Sequence, residues 1–140
     1  RYKRSSELGA GSSEEERKRS EEKMEYGFEK LKVWQMGMEI SEKIYSFTKK
    51  FPDDEKFGLT SQMRRSAISI PANIAEGKGR FHNKEYLQFL YIARGSLYEL
   101  MTQIKLAQRL KYVGEKESMD ILKLCWDISG GTNGLINSLK

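Results

Sequence analysis

The chain has 140 residues, 32% charged and 38% apolar, with a formal net charge of +5. That length suits one domain, no apolar run reaches the roughly 20 residues that cross a bilayer, and the polar first residues give no expectation of a secretory signal. The missing apolar run leads us to expect no membrane partner, and the single cysteine, Cys125, excludes an internal disulfide and fits a reducing, cytoplasmic setting.

Residues 1–27 read as a charged N-terminal tail, flexible or a non-native lead-in. They hold the small-residue stretch GAGSS and the charge block EEERKRSEEK, with no apolar stripe to bury. Their seven basic and seven acidic residues cancel, so the whole excess of positive charge lies in residues 28–140, with eighteen basic against thirteen acidic. Met24, followed by EYGFEKLKVWQ, is where we expect the native chain to begin, with the preceding segment upstream or engineered.

The first helix is expected at about 28–50. Leu31, Trp34, Met38, Ser41, Tyr45 and Thr48 form one stripe; Val33, Ile40, Ile44, Phe47 and Phe51 form another. Pro52 stops it, and Asp53 and Asp54 suit a turn. The second helix is expected at about 59–77, with Thr60 or Ser61 as its cap and Gly77 and Gly79 at its end. Leu59, Met63, Ala67, Ile70 and Ile74 share one face, and Pro71 falls inside that pattern. Its missing N–H and its ring predict a kink or a short irregular turn, at a cost of roughly 3 kcal/mol that packing must offset.

The third helix is expected at about 83–112, capped by Asn83 and ended by Gly114. Leu90, Ala93, Leu97, Leu100, Ile104 and Ala107 alternate steps of three and four, the pattern of a bundle seam. The fourth is expected at about 115–139. Its GGTNG run, Gly130 to Gly134, predicts either a bent or frayed helix or a close approach by a neighbour. No segment has strand alternation. Four helices on short loops predict an all-α, antiparallel up-down-up-down four-helix bundle over 28–140.

The runs FEKLKVWQ, FGLTSQMRRSAISIPANIAEGKGR (Phe57 to Arg80) and IARGSLYEL resemble the small four-helix-bundle proteins encoded within intervening sequences of bacterial 23S ribosomal RNA genes. The likeness spans about 28–140 and departs from the usual pattern at the glycine run of the fourth helix. It implies a helical bundle, self-assembly into closed rings that are often pentamers, and an RNA context. Related bundle proteins that accompany reverse transcriptases in retroelements imply that a protein partner is a second option.

A second apolar stripe on the third helix, Leu87, Tyr91, Tyr98 and Met101, points independently to an oligomer interface, because contiguous exposed apolar surface usually marks one. The alternative is a wide core-facing surface with ordinary exposed tyrosines.

No constellation points to catalysis, so we expect no enzyme, cofactor or metal. His82 is the only histidine, which is too few for a di-iron bundle, and zinc would need more Cys or His ligands. Cys125 reads as a buried helix cysteine. Glu76 and Glu99 are a conceivable acid–base pair, but Arg64, Arg65, Arg80 and Arg94 stand in the same two helices, so ion pairs are expected instead. The GKGR run lacks the spacing of a phosphate loop.

The basic residues remain. Arg94, Lys105 and Arg109 fall broadly along one side of the third helix. Arg64, Arg65, Lys78 and Arg80 can add to a patch, with Tyr91 and Tyr98 near Arg94. Cations beside aromatics bind phosphates and stack bases, and repetition around a ring multiplies a modest affinity. The expected function is therefore a non-catalytic oligomeric scaffold binding rRNA or other structured nucleic acid. The alternative is a protein–protein interaction scaffold with no nucleic-acid role.

Overall fold

The computed structural model describes residues 13–16 and 26–140. Most of the expected tail, 1–27, thus lies outside the described residues. Those that are described contain four long helices and no strand: α1 Lys32–Thr48, α2 Leu59–Lys78, α3 Asn83–Arg109 and α4 Glu115–Leu139. Each helix packs on the next, and α4 returns to α1.

The cross-helix contacts run in opposite senses along every neighbouring pair. Gly37 meets Pro71 and Thr48 meets Arg64 between α1 and α2. Ser66 reaches Glu99 and Ser69 reaches Ser96 between α2 and α3. Arg94 meets Asn133 and Tyr98 meets Ser129 between α3 and α4, while Val33 lies against Gly131 and Lys50 against Glu117 between α1 and α4. Adjacent helices are antiparallel.

The core holds the stripe Val33, Ile40, Ile44, Phe47 and Phe51 of α1, the face Met63, Ala67, Ile70 and Ile74 of α2, and the whole expected seam of α3. Tyr86 of α3 and Ile121, Cys125, Ile128 and Ile136 of α4 complete it. The other α1 stripe divides: Ser41 and Thr48 are buried, whereas Met38 and Tyr45 are exposed. Both buried hydroxyls bond back to helix carbonyls, at Gly37 and Ile44.

Pro71 does not break α2, which continues through it from Leu59 to Lys78. The carbonyl that loses its helical donor at a proline lies four residues earlier, at Ala67. The Ser41 hydroxyl stands 3.1 Å from that oxygen and 2.8 Å from the Gly37 carbonyl, so its one proton serves both acceptors. The proline ring packs on Gly37, where a Cβ would stand 3.2 Å from it.

The ends of three helices differ from expectation. The first helix does not begin at 28: a 3-10 turn, Gly27–Lys30, is followed by extended Leu31 before α1 starts, and α1 stops at Thr48 rather than 50. Thr60 and Ser61 do not cap α2; it begins one residue earlier, and the Glu55 carboxylate accepts from the Leu59 N–H at 3.1 Å. Asn83 is the first residue of α3, with His82 in the cap position, and α3 ends at Arg109 rather than at 112. There Lys111 takes φ 64°, and the N–H groups of Lys111 and Tyr112 return to the Gln108 and Ala107 carbonyls. This is a Schellman closure with lysine in the place that glycine usually takes.

The glycine run leaves α4 continuous to Leu139. A Cβ on Gly131 would come within 2.7 Å of Val33 Cγ1, while Gly130 and Gly134 have nothing within 4 Å. The close approach, not the bend, is what the run contains.

Candidate nucleic-acid interface

The first basic surface lies between α1 and α2. Pro52 ends the preceding turn and Asp53–Glu55 coils into a 3-10 turn. The Glu55 carboxylate faces inward, taking the Leu59 N–H and the Tyr112 hydroxyl, at 2.8 Å. Those two hydrogen bonds, the backbone one first, hold its carboxyl below the usual range, and the same contact raises the Tyr112 phenol. Lys56 and Phe57 remain on the outside of the loop, and Phe57 is 89% exposed.

Beside this loop runs a groove of about 510 Å³. Tyr45 of α1 and Ile68 of α2 wall it, Thr60 and Ser61 supply hydroxyls, and Lys56, Arg64 and Arg65 supply charge. Among the described residues no acid lines it. The Arg64 guanidinium lies 4.4 Å from the centre of the Tyr45 ring and donates to Thr48 Oγ1 at 2.9 Å and the Tyr45 carbonyl at 3.3 Å. Arg65 is exposed and has no ion pair among the described residues.

The second basic surface follows the α4 side of α3. Arg94 donates to Asn133 Oδ1 at 3.0 Å and lies 5.3 Å from the Tyr91 ring centre. Lys105 and Arg109, eleven and fifteen residues on, fall within about 60° of Arg94 around the helix at 3.6 residues per turn. Both are exposed. Tyr98 shares this side; its phenol is 3.3 Å from the Ser129 hydroxyl, and that hydrogen bond outweighs burial and lowers its pKa, with help from Asn133 and the Arg94 charge. Leu87, Tyr91 and Met101 are partly buried against the core, and Tyr98 is 45% exposed.

The third location is the far end of α2. Arg80 pairs with Glu76 at 3.1 Å and stands over the Phe89 ring at 4.7 Å, and Lys78 is exposed in the last turn. The seven basic residues singled out in the sequence therefore do not make one patch. Arg64 reaches across to α1 and Arg94 reaches across to α4, which puts them on opposite edges of the bundle.

Of the carboxylates considered, Glu76 has its arginine, but Glu99 takes a hydrogen bond from Ser66 at 2.5 Å instead of an ion pair. Cys125 is fully buried, and desolvation pushes its thiol up to about 12. His82 is exposed and edge-on to Phe81. Among the described residues no group of three metal-ligating side chains comes together.

Tyr45, Lys56 and Phe57 escaped the sequence reading as site residues. Lys56 and Phe57 had a local signal, a cation and an aromatic side by side in a loop. Tyr45 had none, because its meeting with Arg64 is a contact between two helices.

No curated protein matches this chain. A solved structure of a protein of unknown function from the S23 ribosomal protein family of Bacteroides thetaiotaomicron aligns with a TM-score of 0.68 and 23% identity, covering 74% of this chain and 97% of that one. At that identity the likeness is one of fold. The sequence pattern of the 23S rRNA-intervening sequence proteins matches residues 29–134, a span that starts ahead of α1, ends inside α4 and takes in every basic residue described above. With α1 to α3 and most of α4 inside that match, the chain belongs to the 23S rRNA-intervening sequence protein family.

Proposed function

We propose that this protein is a non-catalytic, oligomeric helical scaffold of the cytoplasm that binds structured RNA or DNA through its basic helix surfaces. One observation carries the reading: Arg65, Lys78, Lys105 and Arg109 are exposed, and none has an acidic partner among the described residues. Cations left unpaired in water gain most from a polyphosphate, whose condensed counterions they release. The family's link to 23S rRNA intervening sequences favours RNA as the partner. Self-association through the stripe of Leu87, Tyr91, Tyr98 and Met101, into a ring and in the family's manner a pentamer, would repeat each patch and add avidity.

The test is a titration of the purified protein with structured rRNA fragments across a salt series, with mass read by light scattering. Affinity should fall steeply with salt. Replacing Arg94, Lys105 and Arg109 together by Glu should collapse binding, with assembly mass read in parallel because Arg94 lies against Tyr91 of the proposed interface, and undiminished binding would remove this surface from the site. A protein-interaction scaffold is the second reading, favoured by Phe81 and Trp126, which are 93% and 69% exposed. An assembly that ignores RNA even at low salt would remove the first reading in favour of the second, which a pull-down would then test.

A further inference from the structure

We infer that the groove between α1 and α2 receives an unpaired nucleotide, with its phosphate held by Lys56, Arg64 and Arg65 and its base laid on Phe57. The inference rests on the nucleic-acid reading above and adds the state of the strand that this surface selects.

Charge comes first. Among the described residues the groove has three cations and no acid on its walls, so an anion is its complement. Its volume, about 510 Å³, lies within the roughly 300–1,000 Å³ of small-ligand sites. An apolar peptide laid there would bury Arg65 and Lys56 without partners, at a heavy desolvation cost.

Preorganisation comes second. Arg64 is already fixed by Thr48, by the Tyr45 carbonyl and by the Tyr45 ring. Those bonds occupy two of its five N–H donors, so the rest are available to a phosphate with little further loss of side-chain freedom. The hydroxyls of Thr60 and Ser61 stand on the same wall and can donate to phosphate or sugar oxygens.

The aromatic ring comes third. Phe57 is 89% exposed and lies beside the cations rather than on the core. The Lys56 ammonium stands 5.6 Å from the ring centre. A planar base can cover that ring, and stacking of this kind tolerates any base. Inside a duplex the faces of each base are already stacked on neighbours, so only an unpaired base at a loop, bulge or end can lie on Phe57.

The experiment uses the full chain and a twelve-nucleotide single-stranded RNA bearing 2-aminopurine, alone and annealed into a duplex. Phe57→Ala should weaken the single strand about tenfold and leave duplex affinity unchanged, and Phe57→Trp should restore it. Emission from 2-aminopurine should change on binding the unaltered protein and the Phe57→Trp variant, as the base leaves its stacked neighbours, and should stay unchanged with Phe57→Ala. Phe57 touches little of the core, so circular dichroism should be the same for all three. If Phe57→Ala leaves the single strand unaffected while the α3 charge reversal still abolishes duplex binding, the groove inference falls and the scaffold reading stands. If Arg65→Glu weakens the strand but Phe57→Ala does not, the groove reads phosphate alone and the stacked base is overturned. Equal competition by poly-glutamate would overturn it too, since charge alone would then be recognised. If neither strand nor duplex binds, the scaffold reading falls and takes this inference with it.

Discussion

At the scale of single residues, two glycines in helices have opposite roles. Gly77 lies inside α2, where a Cβ would stand 2.8 Å from Phe89 Cβ and 3.3 Å from the Tyr86 carbonyl. Neither atom can yield unless α3 itself moves. Gly77→Ala should therefore destabilise by about 1–3 kcal/mol despite the better helix propensity of alanine. Gly130 sits in α4 with nothing within 4 Å of a Cβ, and Gly130→Ala should stabilise by up to about 1 kcal/mol. Chemical denaturation of the two variants checks the pair, and a shift of the same sign in both would refute the argument from close approach. In the sequence these two glycines look alike; Gly77 read as a helix end because no local signal announces that another helix passes within contact.

At the scale of an element, α2 depends on a residue outside itself. Pro71 leaves the Ala67 carbonyl without its helical donor, and Ser41 of α1 stands in at 3.1 Å. Ser41→Ala should cost about 1–3 kcal/mol, because a buried acceptor is left unsatisfied. In a Pro71→Ala background the backbone N–H regained at position 71 can serve that carbonyl, so Ser41→Ala should cost less. A double-mutant cycle by urea denaturation measures the difference, and strictly additive losses would refute the substitution of one donor for another. The proline was legible in the sequence, and a kink or irregular turn was expected there, whereas α2 runs through Pro71 as one helix. The hydroxyl that keeps the helix running was not, since Ser41 and Ala67 are 26 residues apart and only packing brings them together.

At the scale of the whole molecule, burial sets the response to base. Burial raises the pKa of Cys125 to about 12 and also raises that of Tyr86. For a group whose folded pKa lies above its unfolded value, the stability it contributes is complete below the unfolded pKa and is lost as pH climbs toward the folded one. The Cys125 window therefore opens near 9 and closes near 12, with a loss on the order of a few kcal/mol. Tyr98, whose pKa is lowered, acts in the opposite direction. Denaturation midpoints from pH 8 upward should fall, and fall less in Cys125→Ala after allowance for its lower starting stability. An identical slope in the variant would remove Cys125 from the account.

Helix number, the core stripes of α1 to α3 and the excess of exposed cations were legible in the sequence, whereas α4 buries Ile121, Cys125 and Ile128 and leaves Met119 and Trp126 exposed. Each legible feature is a property of one helix, where 3.6 residues per turn ties position along the chain to direction around the axis. How those directions combine was decided only by the tertiary structure. Arg64 turns toward α1 and Arg94 toward α4, so cations that looked like one patch occupy opposite edges. Tyr45 joins the basic groove because α1 lies against α2 there. Spacing along a chain carries no information about the angle at which a second helix will pack, and that angle, set by the fit of buried side chains, determines which surface residues become neighbours.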